Sequence, residues 1–369
     1  MSVKRLLCIV GGMNRGGAET FLMKIYRGLD KTKYQMDFAV AFPQKGDYDD
    51  EILSMGGRIF HIVPKSRGLF KNFNDVRKLV KTEQYKYVLR TSQNSLSALE
   101  LFAARLGGAK VCTYRSSNSG TVAGLWKIIL VHHIFSFMPK IIPDVKIAPS
   151  TKAAEFMFGK DCIKKGKAHL LHNALDYDSF RFNEENRKRI REEMGLENAC
   201  IIGHIGRFNK QKNHDFLIDI FKTISQKNEN VRLVMVGVGE LEEQIKNKVK
   251  SLQLEDKVVF LGLRSDVPNI LSAFDVLLFP SFFEGMPNVV IEAQASGLPC
   301  VISDAITPEA DITGLVKYCS LSESTDVWAE KVFERISNGR KDTFDDFVRE
   351  GYNLNQVIDK FIELVFEEV

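Results

Sequence analysis

The fold can be predicted from one stretch of the chain: Asp275-Val-Leu-Leu-Phe-Pro-Ser-Phe-Phe-Glu-Gly-Met-Pro-Asn-Val-Val-Ile-Glu292. Its first five residues form an apolar run that is typical of a buried parallel strand. A loop with one carboxylate, Glu284, follows, and Pro287 and Asn288 then open a predicted helix, because proline suits a first helical turn. A second carboxylate, Glu292, lies about one turn into that helix. The stretch therefore predicts a mouth with two acids and free backbone N–H groups, which suits an anionic ligand that also carries hydroxyls.

Strand-like and helix-like segments alternate along the chain, which predicts an α/β protein with doubly wound, Rossmann-like parallel sheets. The predicted strands of the second half are 200–205, 232–236, 257–261, 276–279 and 300–303. We expect an N-terminal domain at 1–175, a connector at 176–195, a second domain at 196–350, and a C-terminal helix at 351–369 that packs back on the first domain. Two such sheets in tandem are expected to bind their ligand in a cleft between them, at the carboxyl ends of the strands.

Composition points to an ordinary globular protein, with 369 residues of which 44% are hydrophobic and 27% charged. The six cysteines are scattered without a CxxC pair, so we expect reduced thiols in a cytoplasmic protein. No uncharged apolar stretch reaches the length of a membrane span. The histidines and acidic residues form no recognisable metal-binding pattern, so we expect metal-independent chemistry without a cofactor. No Gly-x-Ser-x-Gly or Cys/His arrangement suggests a hydrolase.

Charge is distributed unevenly. Residues 1–180 carry 28 Lys and Arg against 15 Asp and Glu, whereas residues 181–369 carry 23 against 32. One interpretation is two solvated surfaces of opposite bias; the other is peripheral contact of the first half with an anionic membrane, at the inner face of the cell membrane. The apolar segment 125–140, with Trp126 and flanking lysines, fits an interfacial helix or a core helix equally well. We expect no nucleic-acid partner.

A glycine-rich loop, Gly11-Gly-Met-Asn-Arg-Gly-Gly-Ala-Glu-Thr20, joins the first predicted strand to the first helix. Glycines permit close approach of the backbone to a ligand and positive φ angles. The loop matches neither the dinucleotide-binding GxGxxG pattern nor the Walker pattern, so hydride transfer and ATP chemistry lose support. A plain tight turn would also use glycine, but four glycines within seven residues favour a binding role.

Two cations follow the first strand of the second half. Arg207 lies at the carboxyl end of that strand, and Lys212 comes five residues later, near the next helix. Together they could neutralise a diphosphate, Arg as a planar fork and Lys as a point charge. Spacing alone does not identify the acidic pair, because Glu184 and Glu192 have the same separation inside a charged helix. The strand before Glu284 and the helix around Glu292 supply the context.

Taken together, these motifs resemble the retaining glycosyltransferases of family 4, which share the GT-B fold. The resemblance covers nearly the whole chain. It rests on Gly16-Gly-Ala-Glu19, Gly206-Arg-Phe-x-x-x-Lys212, Val236-Gly-Val-Gly239, Phe260-Leu-Gly262 and, most specifically, Pro280-Ser-x-x-Glu-Gly-x-Pro-x-x-x-x-Glu292. Two further segments, Phe208-Asn-Lys-Gln-Lys-Asn-His214 and Leu298-Pro-Cys-Val-Ile-Ser-Asp304, resemble the branch that makes bacterial exopolysaccharide and capsule.

The resemblance implies roles for the matching positions. Arg207 and Lys212 would bind the donor diphosphate, Glu292 the ribose hydroxyls and Glu284 the transferred sugar. The other donor contacts would come from Gly16, Gly17, Gly237, Gly239, Arg264, Gly285, Met286, Pro287 and Asn288. On the acceptor side we expect Asn14, Asn94, Ser116 and Asn118.

One position departs from the family pattern. Many relatives carry a histidine near the reacting sugar, where this chain has Arg115 in Thr113-Tyr-Arg-Ser-Ser-Asn118. Arginine stays protonated and cannot act as a base. We therefore expect Arg115 to stabilise the departing phosphate or a donor hydroxyl.

The expected activity is transfer of a sugar, with retention, from a nucleotide sugar (UDP-linked in our prediction) to a glycan or a polyprenyl-diphosphate-linked acceptor. Two alternatives remain open at this point. A sugar-nucleotide epimerase or glycosyl phosphorylase could use the same architecture, and so could a catalytically silent partner that only binds the nucleotide sugar.

Overall fold

The computed structural model describes residues 3–117, 132–173, 175–284 and 286–367. The chain divides into two compact units. The first comprises Met1–Ala174 and Gly351–Val369, and the second comprises Leu175–Glu350. The C-terminal segment therefore belongs to the first unit, although it follows the second in sequence.

The first unit contains a parallel sheet with the strand order β3-β2-β1-β4-β5-β6-β7. Its strands are β1 (Lys4–Val10), β2 (Tyr34–Val40), β3 (Ile59–His61), β4 (Tyr87–Ser92), β5 (Val111–Ser116), β6 (Val145–Ala148) and β7 (His169–Leu170). The order reverses direction between β1 and β4, so the loops after these two strands lie next to each other at the carboxyl edge.

The second unit contains a parallel sheet with the order β10-β9-β8-β11-β12-β13. Its strands are β8 (Cys200–Ile205), β9 (Val231–Val236), β10 (Val258–Phe260), β11 (Val276–Phe279), β12 (Cys300–Ser303) and β13 (Val316–Cys319). The reversal here falls between β8 and β11. Strand β13 was not among the predicted strands, because only its first and last residues are buried and it lacks a continuous apolar run.

Helices cover both faces of each sheet. In chain order they are α1 (Gly17–Gly28), α2 (Asp49–Ser54), α3 (Leu69–Glu83), α4 (Ala98–Gly107), α5 (Met138–Ile141), α6 (Thr151–Phe158), α7 (Tyr177–Phe180), α8 (Glu184–Met194), α9 (His214–Lys227), α10 (Glu242–Ser251), α11 (Val267–Ala273), α12 (Asn288–Ala295), α13 (Thr325–Asn338), α14 (Phe344–Arg349) and α15 (Leu354–Phe366). Short 3₁₀ turns occupy Ser95–Ser97, Lys210–Lys212, Glu255–Lys257 and Pro308–Ala310.

The C-terminal helix α15 completes the core of the first unit. Its apolar stripe, which includes Val357, Phe361 and Val365, is buried in the same cluster as residues of β1 and α1. The rings of Phe361 and Phe21 lie 6.4 Å apart, edge to face. Full burial of such side chains removes a large apolar area from water, so this helix stabilises the first unit directly.

Residues 176–195, predicted to connect the domains, lie within the second unit. Helix α8 buries Ile190 in the core of that unit. Arg191 donates to Asp275 at 2.7 Å, and Arg187 donates to the same carboxylate at 2.6 Å. The segment is therefore anchored to the start of β11, because two guanidinium groups share one acid there.

The segment predicted to form an interfacial or core helix, 125–140, lies partly outside the described residues, which resume at His132. There His132 is buried, stacks on Phe156 with 4.3 Å between ring centroids, and lies 2.8 Å from the Ser95 hydroxyl. All six cysteines are free thiols. Among the helices of the described ranges, none combines the length and the apolar character that crossing a membrane requires.

Candidate functional site

The loops after β8 and β11 lie side by side at the carboxyl edge of the second sheet, because these strands are neighbours at its reversal point. Hydrogen bonds of both backbone and side chains join the loops. The Phe282 N–H donates to the Gln211 carbonyl at 2.9 Å, and the Gln211 side chain donates back to the Phe283 carbonyl at 3.0 Å. The Asn213 amide donates to the Pro280 carbonyl at 3.1 Å.

These contacts bring Lys212 and Glu284 together. The Lys212 Nζ lies 2.7 Å from the Glu284 Oε1, and the two side chains are only 17% and 10% exposed. The ammonium also lies 4.5 Å from the centroid of the Phe279 ring. The sequence predicted both residues at one mouth but assigned them to different parts of the donor, Lys212 to the diphosphate and Glu284 to the transferred sugar. The structure joins them as one ion pair, 72 residues apart in sequence.

Local geometry holds Lys212 in place. The Asn209 side chain accepts from the Lys212 N–H at 3.2 Å, which caps the 3₁₀ turn Lys210–Lys212. The next residue, Asn213, adopts the left-handed conformation with φ of 54°. Asparagine tolerates that conformation better than most residues, so the chain can turn there from the loop into α9.

Two buried histidines lie beneath Lys212, and the sequence analysis missed them. His204 on β8 is fully buried, and its ring contacts that of His214 at the start of α9, with centroids 4.7 Å apart. His204 Nδ1 lies 2.9 Å from the Leu278 carbonyl, whereas its Nε2 has no hydrogen-bond partner in the ranges that the structure describes. A buried polar residue inside an apolar strand was the available signal.

Both rings are held in the neutral form. Burial lowers the pKa of His214 to about 4, with the nearby Lys212 charge as a second cause. Burial, followed by the neighbouring His214, lowers the pKa of His204 well below its usual value. At neutral pH the floor of the site is therefore polar but uncharged, so the positive charge above it belongs to Lys212.

Arg207 and Arg264 have different surroundings. Arg207 is 73% exposed, and its only ion-pair partner among the described residues is Glu240 at 3.6 Å. Arg264 is 23% exposed and donates to Asp266 at 2.8 Å and to Glu193 at 2.6 Å. These hydrogen bonds raise the pKa of Arg264 above its ordinary value. The Arg207 side chain can therefore reorient towards a ligand, whereas ion pairs with two carboxylates already hold the Arg264 guanidinium.

Close packing of the backbone explains why glycine occupies positions Gly237 and Gly239. A Cβ at Gly237 would lie 2.1 Å from the Gly206 carbonyl oxygen, and one at Gly239 would lie 2.4 Å from the Phe208 carbonyl oxygen. The backbone after β9 thus presses against the loop that carries Arg207. The predicted contact of these two glycines with the donor stays a prediction.

Helix α12 begins at Asn288 as predicted, but Pro287 lies just before the first helical turn and not in it. Pro287 immediately precedes its first residue, Asn288, and adopts an extended conformation with φ of −77°. Glu292 is half-buried on the second turn, Met286 is half-buried before the helix, and Gly285 lies outside the described residues. The first-turn N–H groups of this helix thus follow the Glu284 loop directly.

The glycine-rich loop of the first unit differs from one expectation. Gly11, Gly12, Gly16 and Gly17 all lack positive φ angles, and Gly16 is extended with φ of −125°. Close approach explains two of them, because a Cβ at Gly11 or Gly12 would lie 3.2 or 3.0 Å from the ring of Phe42. Gly17 is the first residue of α1.

Arg115 is buried in the first unit and only 1% exposed. Its guanidinium lies 3.9 Å from the centroid of the Phe21 ring and donates to the Asn173 side chain at 2.7 Å. Burial lowers its pKa to about 9, and the opposite charge of Glu19 counters part of that effect. Burial also raises the pKa of Glu19. The guanidinium thus lies under the start of α1 with little surface of its own.

The predicted acceptor-side residues are dispersed along one edge of the first sheet. Asn14 is exposed in the glycine-rich loop. The Asn94 side chain accepts from the Leu96 N–H at 2.9 Å, and Ser116 is buried with its hydroxyl donating to the Ala153 carbonyl at 2.9 Å. Asn118 lies outside the described residues. Their role in acceptor binding stays a prediction.

Comparisons with known proteins fit this geometry. Residues 186–352 match the family model described as glycosyl transferases group 1. EpsF of Bacillus subtilis (strain 168), a protein named as a glycosyltransferase, is 35% identical over 364 residues, covering 96% of this chain and 94% of EpsF. The capsular polysaccharide biosynthesis glycosyltransferase CapM of Staphylococcus aureus is 26% identical over 356 residues, covering 89% and 90%.

Solved structures show the same architecture. Anabaena HepE in complex with UDP-glucose superimposes with a TM-score of 0.76 at 17% identity, covering 97% of this chain and 98% of HepE. WaaG, a glycosyltransferase involved in lipopolysaccharide biosynthesis, superimposes with a TM-score of 0.68 at 14% identity, covering 97% and 95%. Since the identity to EpsF spans nearly the whole chain and the solved structures share the fold, the chain belongs to the group 1 glycosyltransferases and has the GT-B fold.

Proposed function

We propose that this glycosyltransferase is retaining and metal-independent, and that it transfers a sugar from a UDP-sugar to a glycan or a polyprenyl-diphosphate-linked oligosaccharide in surface polysaccharide synthesis. The observation that carries the proposal is the ion pair of Lys212 and Glu284 at the reversal point of the second sheet. A bound donor can replace the contact between the two side chains. Its phosphate would then bind the Lys212 ammonium, and its sugar hydroxyls would donate to the Glu284 carboxylate.

Charge development explains what the site contributes. Transfer leaves a diphosphate anion, so fixed positive charge next to it lowers the barrier. In this proposal the ammonium of Lys212, which its loop and Glu284 hold in place, lies next to the leaving diphosphate. The exposed side chain of Arg207 can turn towards the same diphosphate. The N-terminus of α12 adds backbone N–H groups that favour an anion. In this proposal these groups supply the charge stabilisation that a metal ion supplies in other enzymes.

Retention is proposed to follow a front-face route. In the described structure Glu284 is engaged by Lys212, which makes it a poor covalent nucleophile towards the sugar. The leaving phosphate would instead accept the proton of the acceptor hydroxyl while the new bond forms on the same face.

For Arg115 we retain the proposal that it stabilises the departing phosphate or a donor hydroxyl. Its burial makes it dependent on Asn173 and Phe21 for its position. Arg115→Ala is expected to lower kcat by at least about tenfold, because loss of a charged hydrogen bond is worth roughly 1.5–3 kcal/mol. Unchanged turnover in this variant would dismiss the role.

The proposed substrates draw support from similar proteins. HepE was solved in complexes with UDP and with UDP-glucose. A relative from Escherichia coli, 30% identical over 247 residues, is named as a UDP-Gal:alpha-D-GlcNAc-diphosphoundecaprenol alpha-1,3-galactosyltransferase. These names favour a UDP-linked donor and a polyprenyl-diphosphate-linked acceptor for this chain as well.

We also propose peripheral contact of the first unit with an anionic membrane at the cytoplasmic face. Residues 1–180 carry the positive excess, and the first unit exposes large apolar side chains at Phe70 (85%) and Ile141 (74%). Co-sedimentation with phosphatidylglycerol vesicles, but not with phosphatidylcholine vesicles, is the expected result. Equal partitioning with both would contradict an electrostatic contact.

The activity is tested by incubating the purified protein with a panel of UDP- and GDP-sugars, with and without undecaprenyl-diphosphate-linked saccharides. We expect acceptor-dependent release of UDP in the presence of EDTA and a product with the anomeric configuration of the donor. Inversion of the anomeric configuration would overturn the proposed retention. Loss of activity in EDTA would overturn metal independence, and a preference for GDP-sugars would overturn the UDP-linked donor. Conversion of the donor without an acceptor would favour an epimerase, and nucleotide binding without turnover a silent partner.

A further inference from the structure

A concave site lies in the first unit, at the carboxyl ends of β2 and β3. Its volume is about 320 Å³, at the lower end of the range of small-molecule sites. Its lining includes Ala41, Pro43, Val63, Pro64, Arg67 and Asp75. None of these residues belongs to the glycine-rich loop or to the acceptor-side positions considered above.

The walls combine apolar and hydrogen-bonding groups. Ala41, Pro43 and Pro64 supply apolar surface, while Arg67 and Asp75 supply charges of opposite sign. The Asp75 carboxylate is fixed because its Oδ2 accepts from the Val63 N–H at 3.0 Å. Arg67 is exposed and forms no ion pair within the described part of the chain. Because the two charges offset each other, the site suits a neutral ligand with many hydroxyls better than a diphosphate.

Phe42 connects this site to the glycine-rich loop. It lies between two lining residues, is 53% exposed, and rests its ring against Gly11 and Gly12, where an added Cβ would lie only 3.2 and 3.0 Å away. Strand β3 lies two strands from β1, about 10 Å at the usual strand spacing. A ligand in the pocket can therefore continue along this edge towards the loop at Gly16.

We propose that the pocket and the adjoining Phe42 form a saccharide subsite, which binds a sugar unit of the acceptor other than the unit that receives the new bond. A pyranose has an apolar face of C–H groups and a rim of hydroxyls. The rings of Phe42 and of the two prolines can pack against the apolar face of the sugar. The side chains of Arg67 and Asp75 can form hydrogen bonds with its hydroxyls. This inference rests on the proposed glycan acceptor and assigns it a place on the first unit.

Binding is tested without nucleotide by saturation-transfer difference NMR on the full chain. The probes are lactose, cellobiose and N,N′-diacetylchitobiose. Phe42→Ala and Arg67→Gln are expected to weaken binding of the best probe at least about tenfold, the usual effect of losing a charged hydrogen bond or a stacking ring. The matched controls are Phe70→Ala and Arg77→Gln, which remove an exposed phenylalanine and an exposed arginine of α3 that do not line the pocket.

The outcomes separate this inference from the proposed activity. Binding of a disaccharide that both test variants lose and both controls keep supports the subsite. Absence of binding by every probe, or equal binding by test and control variants, overturns it. Calorimetry with UDP is run in parallel: UDP affinity without saccharide binding leaves the donor assignment standing, and saccharide binding without UDP affinity refutes the donor assignment while the subsite stands.

Discussion

At the scale of single residues, Lys212 and Glu284 act as one unit because each largely buried charge satisfies the other. Separating such a pair leaves an uncompensated charge, which costs more than the pair itself contributes. Each residue therefore affects the function of the other, and their mutations are not expected to be independent.

Lys212→Ala and Glu284→Gln are each expected to lower kcat at least about 10²-fold. The double variant should lose little more than the worse single variant, because residues that act as a unit are not additive. Steady-state kinetics with a saturating donor measure the cycle. The control pair is Lys188→Ala and Glu192→Ala, because these two side chains also form an ion pair but are 77% and 53% exposed. Both control variants should leave kcat unchanged. Multiplicative losses at Lys212 and Glu284 would show that the two residues act independently.

The neutral histidines predict an acid-dependent loss of stability. The pKa of His214 is about 4 in the folded protein against an ordinary 6.5, so the unfolded chain binds its proton first as the pH falls. Stability present above pH 6.5 should decline between pH 6.5 and pH 4, by an amount on the order of 3 kcal/mol. Thermal unfolding across this range measures it. His214→Gln should reduce the dependence to the part that the buried His204 contributes, whereas His61→Gln, at an exposed histidine, should retain it in full.

At the scale of elements, the site depends on loops that press closely against one another. The Gly206 N–H donates to the Val236 carbonyl at 2.9 Å, and the Phe208 N–H donates to the Val238 carbonyl at 3.1 Å. Gly237 adopts a φ of 137° directly against the Gly206 carbonyl. The position of Arg207 is thus decided by the loop after β9 as well as by its own loop.

Gly237→Ala is expected to lower the midpoint of thermal unfolding and to raise the KM for the donor, because it adds a clash of roughly 1–3 kcal/mol to the strain of a positive φ. The control is Gly262→Ala, where φ is 62° but no atom lies within 4 Å of the added Cβ. This variant carries the conformational strain alone, so it should be the more stable of the two. Equal midpoints would mean that the loop yields without cost.

At the scale of the whole molecule, the chain leaves its first unit and returns to it at the end. Residues of α15 fill the core beside β1 and α1, so the core of the first unit is incomplete without this helix. The second unit, Leu175–Glu350, is continuous in sequence and has its own two apolar clusters.

Phe361→Ala is therefore expected to destabilise the first unit by about 3–5 kcal/mol, since it leaves a cavity where a fully buried ring had been. Hydrogen exchange should increase in β1 and α1 and stay unchanged in β8 and β11. Phe70→Ala, at a side chain that is 85% exposed, should leave the hydrogen-exchange rates of both units unchanged. Faster exchange in both units to the same degree would contradict separate cores.

The sequence alone determined the alternation of strands and helices, the strand–loop–helix at Glu284 and the family, because apolar runs and local motifs carry this information. The first and last residues of strands β11 and β12 agree with the predicted ranges 276–279 and 300–303. Strand β13 and the absence of positive φ in the glycine-rich loop could not be read from the sequence, since partial burial and backbone angles depend on neighbours distant in the chain.

Only the tertiary structure decided which charges meet. It paired Lys212 with Glu284, placed His204 and His214 beneath them, and enclosed Arg115 between Phe21 and Asn173. Spacing in sequence cannot reveal these contacts, because they form where strands from different parts of the chain become neighbours in a sheet. A titratable group takes its character from that surrounding structure, through burial and nearby charges.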